Sequence, residues 1–258
     1  MSNGLIVVRP DQDWARSATF SATSEQEGYL AAKAGTDDPS EPWWADSTTA
    51  TLTATLGATR SIDTIALIMT NAGHGEVITV DGLGVSPADT LTGVREASGY
   101  PRDLVLLLDS PVNATELTFS ITSNIYKWSI GRVVIGLRTQ LAENVLISDA
   151  NFAPFRQVYN DVYPDFRHNI PYDIGVEGWS GGGTIIAPSA ADQVILDNWW
   201  FSTLGGVRAT LIVPHPTVYP PLWCYLANDL TRSHQDAPEI TRTPLRFSPL
   251  SRGLEVVG

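Results

Sequence analysis

Residues 45–73, ADSTTATLTATLGATRSIDTIALIMTNAG, limit what this chain can fold into more than any other stretch. From Thr51 to Leu56, threonine alternates strictly with leucine or alanine, which puts hydroxyls on one face of a pleated strand and apolar groups on the other. That is the pattern of a half-buried strand. Gly57 breaks it, Arg60-Ser61-Ile62-Asp63 reads as a polar turn, and residues 62–69 are apolar at nearly every position, as in a strand covered on both faces. An edge-like strand is expected to feed a central one.

These residues carry a resemblance. A tryptophan pair (Trp43, Trp44), a short polar loop, the alternating strand ending in Leu56-Gly57, the Arg60–Asp63 turn and the apolar strand closing on Thr70-Asn71 together resemble a discoidin-type (F5/8 type C-like) jelly roll. The version they are most similar to stands at the N-terminus of tail proteins of long-tailed bacteriophages. A second match is Ile130-Gly131-Arg132 followed by an apolar strand and Gly136, a run similar to the one that ends the first domain in such proteins. The resemblance implies a jelly-roll β-sandwich over residues 1–140.

Composition agrees with a folded chain. With 258 residues, 43% hydrophobic and 17% charged, it should bury roughly 70–75% of its extended surface, enough for one large or two modest domains. The net charge of −12 leaves no basic face of the kind that neutralises phosphates, so specific nucleic-acid binding is not expected. The single cysteine, Cys224, sits in the apolar run Leu222–Leu226 and reads as an inert buried thiol. Residues 5–8 are too short for a secretory leader and no apolar run approaches a membrane span. A reducing cytosol is the expected place of synthesis.

The other N-terminal strands are expected at residues 5–8, 77–80, 104–108 and 115–122, with 125–137 as a closing pair. Residues 24–35 read as a helical turn or a loop. Beyond 140 the plan changes: strands at 159–166, 172–179, 184–187, 207–213, 222–226 and 240–247, and one helix. Ser189 followed by Asp192 makes a capping-box-like start, Ile195, Leu196, Trp199, Trp200 and Leu204 recur at helical spacing, and Gly205-Gly206 stops the helix near 204. Strands, one amphipathic helix ending in Gly-Gly and then Val207-Arg-Ala-Thr-Leu-Ile-Val-Pro214 are similar in order to the hub-type domain of distal tail proteins. That resemblance implies, for residues 141–258, a hub-like β domain or β-sandwich with one packed helix, assembling as a ring. Ile195, Trp199 and Trp200 become its candidate oligomerisation residues.

Three sets of side chains are candidates for chemistry. Trp43 and Trp44, being adjacent, point to opposite sides of an extended segment, so at most one lies in the core. The other is a cover or an exposed platform of the kind that suits the apolar face of a sugar. Its candidate polar neighbours are Asp46, Arg60, His74 and Arg102, with Tyr100 as a second aromatic. In related jelly rolls an acidic loop like residues 36–42 holds a structural calcium, which suits Asp37 and Asp38. The glutamate that closes such a site is replaced here by Ser129-Ile130-Gly131-Arg132, so no cofactor is expected and calcium is not favoured. Gly178-Trp-Ser180-Gly-Gly182 spells G-x-S-x-G, but a nucleophile elbow needs a helix after the serine, and a strand is expected there; a glycine-rich hairpin fits better. His74, His168, His215 and His234 lack zinc spacing.

The patterning reads as mainly β, and the resemblance implies a non-enzymatic structural component of a phage tail tip, assembled in the bacterial host cytoplasm and located in the virion. Its expected partners are itself, as a trimeric or hexameric ring between tail tube and baseplate, other tail-tip and tail-tube proteins, and host-surface glycan. An independent carbohydrate-binding module protein is the alternative. A glycan-degrading tail enzyme, with a carboxylate such as Asp165, is a weaker one, because no internal repeat of the depolymerase kind is present.

Overall fold

The computed structural model describes residues 4–71, 77–84, 89–92, 103–122, 127–141, 151–162, 169–187, 189–214, 221–226, 233–234 and 241–249. Side chains are described throughout these except at 89–92, 121–122, 151–162, 169–187, 233–234 and 241–249. In chain order the strands are β1 (Ile6–Asp13), β2 (Thr19–Ala22), β3 (Trp43–Trp44), β4 (Thr49–Ile68), β5 (Val77–Asp81), β6 (Asp89–Thr92), β7 (Leu104–Thr122), β8 (Ser129–Ile130) and β9 (Arg132–Gln140). There follow β10 (Asn151–Val162), β11 (Asn169–Ala187), the helix α1 (Ala190–Ser202), β12 (Thr210–Val213), β13 (Leu222–Leu226), β14 (Ser233–His234) and β15 (Thr241–Pro249). Short 3-10 turns at Trp14–Ser17 and Ala31–Gly35 flank β2. The chain is mainly β, as expected.

The two strands expected around Gly57 are one. β4 runs on through the polar stretch because β7 pairs with it on both sides of two register shifts, from Thr49↔Thr122 to Leu67↔Leu104. Gly57, at φ 70°, bends the strand without ending it. The same ladder merges the two strands expected within 104–122. The first half of β4 also pairs with β2, the second half with β9. Leu52, Ala54 and Leu56 of the first half share one buried cluster with Ile65 and Leu67 of the second, so the strand folds from one layer into the other. That cluster, closed by Leu117, Phe119, Val133, Ile135, Trp43 and Trp128, is the core of an N-terminal β-sandwich.

The continuous apolar run of β4 is explained by what covers each face. Ile65 and Leu67 point into the sandwich, whereas Ala66 and Ile68 join a second cluster with Ile6, Val8, Val134, Leu211, Val213 and Trp223. β1 is the bridge between the chain's halves. It pairs with β9 on one edge and with β12 on the other, so Val8 faces both Arg138 and Leu211. Gly136 lets β1 come this close: a Cβ there would stand 2.3 Å from the Gln12 carbonyl oxygen. Beyond β12 the same sheet continues through β13, β15 and β11 to β10.

Helix α1 forms where its caps predict. Ser189 Oγ accepts a hydrogen bond from the Asp192 N–H at 3.2 Å, and Leu204, Gly205 and Gly206 end the helix with φ of 52°, 67° and 91°. Leu196 and Trp199 pack on Leu5, Val7, Ile212, Leu222, Cys224 and Leu226. The Trp199 indole donates to Thr210 Oγ1 at 3.2 Å, and Thr210 Oγ1 donates to the Val8 carbonyl at 2.9 Å. One expectation fails here: Gly178–Gly183 is not a hairpin. It lies inside β11, bonded to β10 on one side and, from Gly181, to β15 on the other, so Ser180 sits mid-strand rather than on a strand-to-helix turn. Among the described residues no helix is long and apolar enough to cross a membrane.

Candidate functional site

The bend of β4 decides which residues meet. Because the strand leaves one layer and returns in the other, its two ends, near Asp46 and near Thr70-Asn71, reach the same end of the sandwich. Three segments are tied there by backbone bonds. β3 pairs with β8, the Ala45 N–H donates to the Trp128 carbonyl at 2.8 Å, and the Asn71 N–H donates to the Ser129 carbonyl at 3.3 Å. The Asn71 side chain completes the tie, accepting from the Ser129 N–H at 2.7 Å and donating to the Lys127 carbonyl at 2.7 Å.

At this end the two adjacent tryptophans split as an extended pair must. Trp43 is wholly buried, edge-on to Trp128 at 5.1 Å between centroids, and its indole N–H donates to the Ser24 carbonyl at 3.2 Å. It presents no face to solvent. Trp44 is half-buried, and its ring lies 5.7 Å from that of Tyr29 at 40°. Trp44 Nε1 is shielded and has no hydrogen-bond partner among the described residues. Beside it Asp46 and Lys127, both largely exposed, form an ion pair. Met69, just before Thr70, is held in the left-handed region at φ 51°, a conformation that costs a non-glycine residue about 1–2 kcal/mol. Its N–H donates to Asp103 Oδ1 at 2.6 Å.

Of the expected binding residues, Trp44 and Asp46 both stand at this end, as neighbours in sequence. Arg60 does not. It sits at the bend of β4, its guanidinium 4.7 Å over the ring of Trp14, and roughly 45 Å of extended chain separates it from Asp46. His74, Tyr100 and Arg102 lie outside the described residues. Tyr29, Lys127 and Asn71 were not singled out from the sequence; Tyr29 belongs to the stretch left open as a turn or loop, and only the tertiary fold sets it against Trp44. A partly exposed aromatic pair with a cation and a carboxylate at the same end can stack on a flat apolar ring face and hydrogen-bond the hydroxyls around it.

Asp37 and Asp38 do something other than wait for a cation. Asp37 is ion-paired with Arg16, while Asp38 Oδ1 accepts from the Ser40 N–H at 2.9 Å and hydroxyl at 2.6 Å in a local turn. Arg132, the residue at the place of the family's closing glutamate, is 0% exposed and reaches into the same loop, donating to the Gly35 carbonyl and to the carboxylate of Asp13. Two guanidinium groups thus supply positive charge where calcium would, and the residues present do not fit the metal. Among the described residues no group of three or more metal-binding side chains comes together.

The same arginines join the chain's halves. Both stack on Trp223, Arg16 at 5.5 Å and Arg132 at 5.2 Å. The Trp223 indole donates to the Asp37 carbonyl at 3.1 Å, and Arg16 donates to the Ala209 carbonyl at 2.6 Å. Burial, then the nearby Asp37 and Asp38 carboxylates, raise the pKa of Tyr225; Arg16 opposes them. Burial alone pushes the Cys224 thiol far up, so it stays protonated and inert.

Of the candidate oligomerisation residues, Trp199 turns inward and Ile195 and Trp200 are partly exposed. Trp199 is 1% exposed in the chain's own core, with Ile195 and Trp200 packed partly against it.

Compared with known protein families and with curated proteins, the sequence matches none. Solved structures do resemble about half of it. A family 32 carbohydrate-binding module of C. perfringens NanJ, solved with galactose, is 19% identical with a TM-score of 0.39, covering 52% of this chain and 99% of the module. Chitosan-binding module 1 of a chitosanase/glucanase from Paenibacillus sp. IK-5 is 16% identical with a TM-score of 0.38, covering 48% and 97%. A Clostridium perfringens module solved with GalNAc-β-1,3-galactose is 16% identical with a TM-score of 0.37, covering 51% and 99%.

Proposed function

We propose that this protein is a non-enzymatic structural component of a bacteriophage tail tip whose N-terminal β-sandwich binds host-surface glycan at the Trp44 end. The observation that carries the binding half is the partly exposed ring of Trp44, set against Tyr29, with the exposed Asp46–Lys127 ion pair at the same end of the sandwich. The neighbouring folds with bound sugars agree with that reading. The tail half is supported by the resemblance at residues 43–71 and 130–136 and by the order of elements after 140. Copies assembled as a ring between tail tube and baseplate would multiply a weak single-site affinity through avidity.

The test is binding of the purified protein to host-surface polysaccharide, by titration calorimetry and on a glycan array. Trp44→Ala is expected to lower affinity about tenfold or more, as removal of a central aromatic anchor does, with its melting temperature kept. Unchanged affinity in Trp44→Ala, or no glycan bound by the parent protein, would sink the binding half. Light scattering over a concentration series tests the assembly half; a mass that stays monomeric throughout counts against it.

A further inference from the structure

The ribbon that carries Trp44 is too small to hold itself. β3 and β8 have two residues each and form a sheet of their own, apart from the main one, and a lone two-stranded ribbon is marginal in water. Its register nevertheless places the site. Trp43 stands opposite Ile130 and Trp44 opposite Ser129, and the bond from Ala45 to Trp128 carries the pairing one step further. Trp43, Ala45, Trp128 and Ile130 are all buried, so alternation brings Trp44, Asp46 and Lys127 to the opposite side. A slip of residues 127–130 by one position would exchange Lys127 for Trp128 on that side.

What fixes the register lies on the other edge of residues 127–129. Asn71 makes three bonds there. Its N–H donates to the Ser129 carbonyl at 3.3 Å, its Oδ1 accepts from the Ser129 N–H at 2.7 Å, and its Nδ2 donates to the Lys127 carbonyl at 2.7 Å. A side-chain amide offers acceptor and donor together, so one residue does for this segment what a third strand would. Its neighbours extend the hold. Thr70, wholly buried, accepts from the Trp128 indole at 3.3 Å, and the carbonyls of Ile68 and Met69 accept from the Gly131 N–H at 3.0 and 3.3 Å. Met69, between them, is kept at φ 51°. A β-carbon disfavours that conformation, and such strain persists only where surrounding contacts over-determine it, commonly at binding sites. The strained turn delivers Asn71 to the segment that bears Lys127.

We propose that Asn71 is a positioning residue for the glycan site: its amide holds residues 127–129 in register before a sugar arrives, so that Lys127 and the ring of Trp44 already stand on one side of the ribbon. This rests on the glycan reading above. Asn71 itself need not touch the sugar. Without its amide, binding would have to order the segment, and the entropy lost in that ordering lowers affinity.

The experiment screens the full-length parent on an array of bacterial surface polysaccharides. With the best binder as probe, it then measures affinity by titration calorimetry and amide hydrogen exchange at Ser129 for the parent, Asn71→Ala and Trp44→Ala. In the parent the Ser129 amide is expected to be protected with and without polysaccharide. In Asn71→Ala it should exchange about tenfold faster when free, regain protection when polysaccharide is bound, and show affinity about tenfold lower. Protection regained on binding is a change that a merely structural role would not produce. A second variant, Asn71→Asp, is nearly isosteric and keeps the acceptor for Ser129 while losing the donor to Lys127; it serves if the truncation unfolds this end, and it is expected to bind more weakly than the parent. Parent-like affinity in both variants, or unchanged Ser129 exchange in Asn71→Ala, would overturn the positioning role, while a loss of affinity in Trp44→Ala in the same series would leave the site standing. A parent that binds no polysaccharide would overturn the site and this role with it.

Discussion

Removing Arg132 should break a buried ion pair of the N-terminal half that lies against Trp223 of the other, and the structure fixes how much that costs. Its side chain is 0% exposed and that of Asp13 2%, so solvent does not screen the pair. Arg132→Met keeps much of the length and apolar bulk under Trp223 but leaves the Asp13 carboxylate buried. Breaking a buried pair by deleting one partner costs about 3–5 kcal/mol, mostly from the uncompensated charge. Asp13 would retain the N–H groups of Ala15 at 3.2 Å and Ile135 at 3.3 Å, and Arg16 Nε at 3.5 Å. Those contacts place the expected loss at the low end, about 3 kcal/mol, or roughly 6–12 °C in melting temperature for a chain of this size. Urea unfolding followed by tryptophan fluorescence measures it. The double variant Asp13→Asn, Arg132→Met should be less destabilised than the sum of its parts, because no charge is then left buried. A loss below about 1 kcal/mol for the single variant, or full additivity in the double, would refute the claim that the buried Arg132–Asp13 pair stabilises the fold.

Two further outcomes follow from the same geometry. Neither calcium nor a chelator should shift the melting temperature of the parent, because Arg16 and Arg132 already occupy Asp37, Asp13 and the Gly35 carbonyl; stabilisation by calcium in a thermal shift assay would show the site to be a metal site after all. Stability should also fall in alkali through Cys224. The folded state keeps the thiol protonated while the unfolded chain releases that proton above about pH 9, so the folded form binds more protons and loses about 1.4 kcal/mol per pH unit from there upward. Urea titrations at rising pH should show this extra slope in the parent and not in Cys224→Ala; equal slopes would mean the thiol ionises freely in the fold.

Local patterns in the sequence marked most elements because their causes are local. The Thr-Leu alternation of residues 51–56 identifies a half-buried strand by itself, since successive side chains alternate sides whatever packs against them. Ser189 caps α1 through a bond three residues away, so the helix start was legible too. What could not be read was every feature that depends on a distant partner. Gly57 and the polar residues after it look like a turn in isolation, and only the β7 ladder makes them the bend of one strand. Helix α1 carries Val194, Ile195, Leu196, Trp199, Trp200 and Phe201 around much of its circumference, so its period does not say which side is buried; contact with Leu5, Val7 and Ile212 chose Leu196 and Trp199. The candidate binding end has the same history. Tyr29, Trp44, Asn71 and Lys127 are far apart in the chain and none signals the others, yet the fold of β4 returns them to one place. The sequence determined which segments are strands and helix, because backbone and side-chain period act over a few residues; the tertiary structure decided which faces meet, which charges pair and which apolar surfaces remain open, because those energies arise only between segments that the chain's order does not bring together.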